Sequence, residues 1–305
     1  MSHIVIHGLR RSGTTILWET FRTDPALRCF DEPFHPRLAH GARDNHKGTW
    51  REMSAHLLHA TQPPASINPR DELLANSTPE QIAWLGSLCA SHDRVVTDIV
   101  RGWNRAPGLH AASGEVLTVH LVRDPASWVA AHLLPTGQKT PLGRMADLYR
   151  KHSFFHRHGF YDNYKYETIV NAALAQNHPV FRFVRPSAAA LRRAPACDKL
   201  LAFWWGANVT LAQRLASARA PSLMLTLAEF SRAPEAELHR VAEAAGWAEM
   251  RVDTRAVRPV KPSFNAGLRR WQASAVRLGL PEDLFDPAAQ EAERLRAAFE
   301  AALPA

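Results

Sequence analysis

A chain of 305 residues that is 46% hydrophobic and 22% charged has the size and balance of one large globular domain or two smaller ones. That balance excludes a disordered or collagen-like polymer, and an α/β core of this length needs neither disulfides nor a metal to hold it. The 37 Lys+Arg against 29 Asp+Glu give a formal charge of +8, and 31 of the 37 cations are arginine. A genomic bias toward arginine explains that excess as readily as an anionic, phosphate-bearing partner or a nucleic acid does. No apolar run approaches the roughly 20 residues that a membrane span requires. The opening MSHIVIHG lacks the basic, apolar and small-residue order of a secretory signal. Cys29, Cys89 and Cys197 are too few and too scattered for a disulfide framework or a zinc site. A cytoplasmic location is the expectation.

Residues 3–8 (HIVIHG) are short, apolar and β-branched, the pattern of a buried strand. A glycine-containing turn leads to a helix over 14–23, in which Ile16, Leu17 and Phe21 share a face and Asp24-Pro25 ends the run. Residues 31–80, rich in Pro, His, Asn and Arg, read as irregular with a helix around 50–59. Strands follow at 94–100 (RVVTDIV) and 116–122 (VLTVHLV), then a helix over 126–134. A strongly apolar helix is expected over 200–215, with Phe203, Trp204 and Trp205 in the core. A strand over 222–227 (SLMLTL) and helices over 235–245 and 287–302 complete the chain. Apolar strands alternating with helices predict a three-layer α/β domain of P-loop type, a central parallel sheet flanked by helices. The whole of 1–305 is expected to form that one domain, with 141–196 as a helical, substrate-binding insertion.

Ligands of such sheets sit beyond the carboxyl ends of the strands. That edge should carry residues 10–15, Arg101 and Arg123. The first strand runs into Gly8, Leu9, Arg10, Arg11, Ser12, Gly13, Thr14 and Thr15, a G-x-x-x-x-G spacing directly before a helix. Backbone N–H groups in such a loop wrap a phosphate at the helix N-terminus. A nucleotide triphosphatase carries Lys after the second glycine, where it meets the β- and γ-phosphates. Here that position is Thr14, and the cations Arg10 and Arg11 precede Gly13 instead. The cradle is kept while the residue that reads a γ-phosphate is gone. Asp124, in the VHLVRD segment, and Asp98 are the residues a magnesium-dependent kinase would draw on, although Arg123 beside Asp124 would repel a metal.

Strand, x-x-Arg-Ser-Gly-Thr-Thr and helix together resemble the 5′-phosphosulfate loop of sulfotransferases that use 3′-phosphoadenosine 5′-phosphosulfate (PAPS). Three further segments resemble that family in order. Asp31, Glu32, Pro33 and Phe34 are similar to the Glu-Pro element of its carbohydrate-type members. Residues 119–131 (VHLVRDPASWVAA) resemble the strand, loop and helix that bind the 3′-phosphate, and residues 222–247 resemble the family's late strand and helix. The resemblance covers most of 1–140 and 197–250. Two positions depart from it. Ala131 stands where the family usually has Ser, with Ser127 one turn back, or His132, as candidates to replace the hydroxyl. Asp98 stands where many relatives carry Lys, and Arg101 fits the arginine that often follows.

The resemblance implies a soluble enzyme that moves a sulfuryl group from PAPS to a hydroxyl or amine of a small-molecule or carbohydrate acceptor, with no metal and no nucleic acid involved. It implies Arg11 as a catalytic cation and Glu32 as the base. A base needs a raised pKa, expected from partial burial beside Pro33 and Phe34 against the lowering effect of Arg10 and Arg11. A solvated loop glutamate or an ion-pair partner for Arg11 is the other reading of Glu32, and His35 is the alternative base. Cofactor contacts are expected from Arg10, Arg11, Ser12, Gly13, Thr14, Thr15, Arg123 and Ser127, and from a late basic loop carrying Lys261, Arg269 and Arg270. Acceptor contacts are expected from His35 and Arg101, and from His156 and Tyr161 in 141–196, a stretch without a counterpart in the resemblance that also holds His152, His158, Tyr164 and Tyr166. The two other readings are an ATP- and magnesium-dependent P-loop kinase and an inert nucleotide-binding protein.

Overall fold

The computed structural model describes residues 3–39, 48–133, 166–258, 268–286, 291–302 and 304. In chain order the elements are β1 (His3–His7), α1 (Thr14–Phe21), β2 (Arg28–Asp31), α2 (Pro36–Ala39), α3 (Arg51–Leu57), α4 (Pro79–Cys89), β3 (Val95–Ile99) and β4 (Val116–Val122). They continue with α5 (Pro125–Leu133), α6 (Tyr166–Ala175), α7 (Ala188–Arg193), α8 (Ala196–Ser217), β5 (Ser222–Thr226), α9 (Leu227–Arg232), α10 (Pro234–Ala245), α11 (Leu268–Leu278) and α12 (Ala292–Ala301). Contacts group the chain into two units, Met1–Val122 with Leu211–Val260, and Arg123–Thr210 with Lys261–Ala305.

The first unit holds a parallel five-stranded sheet in the order β2-β3-β1-β4-β5, with β1 at its centre. Every strand pair is parallel, so each connection crosses over and brings helices onto the sheet. The period-2 alternation divides the side chains between two cores. Ile4 and Ile6 of β1, Val96 of β3, Leu117, Val119 and Leu121 of β4, and Leu225 of β5 face Leu17, Trp18 and Phe21 of α1 and Phe230, Leu238 and Val241 of α9 and α10. Val5, Phe30, Val95, Ile99 and Val116 belong to the opposite core, with Trp84, Leu85 and Leu88 of α4 and Met53 of α3. Full burial of each such side chain contributes about 1.5–3 kcal/mol, which is why strands covered on both faces read as near-continuous apolar runs. The expected α/β class, with a parallel sheet between helices, is what the chain forms.

Two elements of this unit depart from the sequence reading. The strand β2 (Arg28–Asp31), at the edge of the sheet, and the helix α4 (Pro79–Cys89) have no counterpart in that reading and flank the 31–80 stretch read as irregular. The α4 start is a capping box, in which Thr78 accepts the Gln81 N–H while the Gln81 side chain accepts the Thr78 N–H, with Pro79 at the first helical position. Elsewhere the ends move by a few residues, α1 stopping at Phe21 and α3 spanning Arg51–Leu57.

The second unit is helical among its described residues and organised around aromatic rings. Trp128, Tyr166, Phe203 and Trp204 are fully buried. Ring centroids lie 5.3 Å apart for Trp128 and Tyr166, and 5.2 Å for Trp205 and Phe299. Phe203, Trp204 and Trp205 are core residues, as the sequence indicated. Gly206 of α8 allows close approach: a Cβ there would lie 1.7 Å from the Val180 carbonyl oxygen. All three cysteines are buried and unbridged. No helix among the described residues is long and apolar enough to cross a membrane.

Candidate anion site at the end of the central strand

The loop that leaves β1 is shaped by its two glycines. A Cβ on Gly8 would lie 2.7 Å from Thr14 Cγ2 and 2.8 Å from the backbone oxygen of Leu121, so the loop begins pressed against β4. Gly13 sits at φ 95 as the N-cap of α1, where a Cβ would come within 2.6 Å of Leu227 Cδ1. Gly13 has no side chain to cap the helix, and no side-chain cap is present among the described residues. The first-turn N–H groups of Thr14 and Thr15 therefore have no acceptor within the helix, and the dipole end faces the strand edge. Arg11, at φ 70, takes the left-handed backbone region that costs a non-glycine residue about 1–3 kcal/mol. Ser12 and Thr14 are buried, while Arg11 and Thr15 are half-buried.

Glu32, the first residue beyond β2, is the second strained position, at φ 42. Its N–H donates to the Asp98 carbonyl at 3.1 Å, and its own carbonyl accepts the His35 N–H at 2.9 Å, so backbone bonds on both sides hold the turn. The Glu32 carboxylate forms an ion pair with Arg101, just past β3. Burial pushes this carboxyl up, but the charge and hydrogen bond of Arg101, assisted by His35 and Arg10, hold it below the ordinary carboxylate range. The raised pKa expected from Pro33 and Phe34 is thus overturned: Glu32 is ionised at neutral pH. Trp84 Nε1 donates to the Pro33 carbonyl at 2.8 Å, which anchors the turn to α4.

His35 accepts the Arg37 backbone N–H on Nδ1 at 3.2 Å, which places its proton on Nε2, and its ring stands 4.9 Å from that of Trp50. Burial and the Arg101 charge lower its pKa to about 4. At neutral pH the ring is uncharged, with its lone-pair nitrogen engaged; it can donate a hydrogen bond from Nε2 but is poorly set to take a proton.

Arg10 is placed differently from the expectation of a direct anion contact. It is 5% exposed and forms an ion pair with Glu72, a fully buried carboxylate in the 3₁₀ turn Asp71–Leu73. That turn is held in turn by Asn104, whose side chain donates to the Leu73 carbonyl at 2.6 Å, and by Arg105, which bonds to the Asp71 carbonyl and Gln81. Arg10 thereby braces the loop against a distant segment. Sequence reading missed Glu72, and only a carboxylate in a Pro- and Asn-rich stretch marked it.

Two further carboxylates lie at this edge. Asp31, the last residue of β2, and Asp98, the last but one of β3, are in direct register. Thr49 Oγ1 donates to Asp31 Oδ2 at 2.6 Å, and Thr15 Oγ1 to Asp98 Oδ2 at 3.4 Å. The first unit thus gathers residues 10–15, Glu32, His35 and Arg101 with two acids: Asp98, which the sequence raised only for a magnesium-dependent kinase, and Asp31, to which it assigned no role.

The remaining expected contacts lie in the second unit or beyond description. Arg123 follows β4, and its carbonyl accepts the Trp204 indole N–H at 3.1 Å. Asp124 accepts the Ser127 N–H at 2.8 Å, the N-cap geometry of α5, so its carboxylate serves the helix start. His132 is fully buried, 4.4 Å ring to ring from Trp128 and 4.5 Å from Tyr166, and does not replace an exposed hydroxyl. Tyr166, also fully buried, belongs to the same ring cluster rather than to an acceptor surface. Arg269 and Arg270 fall in the first turn of α11, with their side chains outside the described part. Lys261, His156 and Tyr161 lie outside the described residues.

No protein-family model matches the chain, and no curated protein matches it.

Proposed function

We propose that the protein is a PAPS-dependent sulfotransferase acting on a hydroxyl or amine of a small-molecule or carbohydrate acceptor. The observation that carries this reading is the β1–loop–α1 turn. Gly13 forms an uncapped left-handed helix start, Arg11 is held beside it, and Thr14 takes the place of the γ-phosphate lysine. A phosphosulfate presents a terminal group with oxygens to be held and no γ-phosphate to be read. The first-turn N–H groups and Arg11 match that need, because the planar guanidinium fork can hold two oxygens at once.

In the transfer, the acceptor oxygen or nitrogen bonds to sulfur as the sulfur–oxygen bond to the 5′-phosphate breaks. The acceptor proton passes to Glu32, and 3′-phosphoadenosine 5′-phosphate departs. Charge spreads over the sulfuryl oxygens, so catalysis is positioning plus electrostatic stabilisation. An ionised Glu32 of lowered pKa is a weak base toward a free alcohol. It orients the acceptor first and takes the proton late, when bond formation to sulfur has made that proton acidic. The resemblance assigns the 3′-phosphate to Arg123, Ser127 and the Lys261, Arg269 and Arg270 segment. A magnesium-dependent kinase draws less support, since Thr14 replaces its lysine and Asp124 caps a helix.

Transfer of labelled sulfuryl from PAPS to a panel of sugars, phenols and amines tests the reading, with Arg11→Ala beside the wild type. Loss of an oxyanion-type donor costs about 3–4 kcal/mol, so Arg11→Ala should turn over roughly a hundred- to a thousandfold more slowly with an unchanged circular dichroism spectrum. Wild-type turnover in Arg11→Ala would sink the assignment.

A further inference from the structure

Asp31 and Asp98 are cross-strand neighbours on one face of the sheet. Cys29, two residues before Asp31, and Val96, two before Asp98, both belong to the core that faces α1, so the alternation puts both carboxylates on that face. Register pairs them directly, at the roughly 4.8 Å strand spacing. Asp98 is fully buried and Asp31 is 7% exposed. Thr49 donates to Oδ2 of Asp31 and Thr15 to Oδ2 of Asp98, and the Thr14 side chain also hydrogen-bonds the Asp98 carboxylate. The second oxygen of each, Oδ1, is buried with no hydrogen-bond donor among the described residues. Two ionised carboxylates at that spacing, both removed from water, repel each other and leave two desolvated lone-pair sets unsatisfied.

We propose that Asp31 and Asp98 share one proton, and that this proton keeps the charge behind Thr14 and Thr15 low enough for the loop to hold an anion. The first half stands on the strand geometry alone; the second rests on the reading of the loop as an anion cradle. Thr15 links the two halves, because it starts α1 and donates to Asp98. Loss of the shared proton would place a second full negative charge directly beneath the helix start, against the dipole that attracts the ligand. Burial pushes both groups upward; the charges of Glu32 and Glu19 add to it for Asp31, which rises to about 6, and those of Asp31 and Glu32 add to it for Asp98, which rises well above its ordinary range. Hydrogen bonds from Thr49 to Asp31 and from Thr14 and Thr15 to Asp98, and the Arg101 charge on Asp31, oppose the shift.

The charged groups acting on the pair are Glu19 of α1, Glu32 beyond β2 and Arg101 beyond β3, and His35 and Arg10 act in turn on Glu32. Glu32 and His35 titrate on the acid side. The neutral and alkaline range therefore isolates the pair.

Infrared spectroscopy of the wild-type protein should show a protonated-carboxyl carbonyl band at neutral pH that disappears on the alkaline side and is missing in Asp98→Asn. Absence of that band in the wild type overturns the proposal without any variant having to fold. Inorganic sulfate, whose charge does not change across this range, then probes the loop. Its apparent Kd in the wild type should rise, approaching tenfold per pH unit, as the band disappears, and Asp98→Asn should bind with little pH dependence. Equal pH dependence in both proteins overturns the link between the pair and the loop. If neither sulfate nor 3′-phosphoadenosine 5′-phosphate binds at any pH while the band is present, the sulfotransferase reading and the link fall together. The shared proton stands in that case.

Discussion

Arg10 and Arg101 look alike in sequence, each a cation at or beyond the end of an apolar strand, and each turns out to face a carboxylate: Glu72 and Glu32. The residue types at the edge were legible because glycine spacing and arginine are local signals. Their partners were not, because Glu72 comes to the loop from the 3₁₀ turn Asp71–Leu73, far along the chain, and Asp98 from the neighbouring strand β3. The same gap explains the Glu32 pKa. Burial beside Pro33 and Phe34 could be read from sequence, whereas the Arg101 pair that outweighs it depends on β2 lying beside β3. The Arg10 pair makes a stability prediction. Removing one partner of a buried ion pair costs about 3–5 kcal/mol, because a guanidinium loses its counter-charge in a site closed to water. Glu72→Ala should lower the urea midpoint accordingly, with Glu72→Gln losing less. A Glu72→Ala midpoint equal to the wild type would show that Arg10 does not depend on Glu72.

Among the elements, β1, β3, β4 and β5 were readable because a strand buried on both faces leaves an uninterrupted apolar run. The edge strand β2 is four residues, RCFD, with a charge at each end, and too short for any period to register. The α4 helix carried its start signal, Thr78-Pro79-Glu80-Gln81, inside a stretch dominated by loop-forming residues. At the loop, Gly13 does two things that can be separated experimentally. Its φ of 95 disfavours any side chain, and its Cβ position is already filled by Leu227. Gly114, at φ 70 with nothing within 4 Å, has only the backbone requirement. Gly114→Ala should therefore cost about 1 kcal/mol, and Gly13→Ala more than that, by chemical denaturation. Equal costs would mean that Leu227 yields freely and that the loop is not braced by α9.

For the molecule as a whole, protonation sets a window of stability. His7 Nε2 and His110 Nε2 lie 3.1 Å apart in the first unit, and burial lowers both pKa values, His110 to about 4. A folded pKa below the unfolded 6.5 means that the unfolded chain binds more protons in acid. The stability from these imidazoles is full above 6.5 and is lost as pH falls toward about 4. Asp98 acts with the opposite sign: its pKa is raised on folding, so its contribution is lost as pH rises through the folded value. The melting temperature should pass through a maximum, and His110→Gln should flatten the acid limb alone; an unchanged acid limb would exclude the histidine pair. The +8 net charge suits an anionic ligand without selecting one. Calorimetric titration with 3′-phosphoadenosine 5′-phosphate in EDTA, with ADP and ATP alongside, makes that selection. Micromolar binding that prefers the 3′-phosphate and is lost in Arg123→Ala is the predicted result; no binding there, with ATP binding restored by magnesium, would contradict the sulfotransferase account.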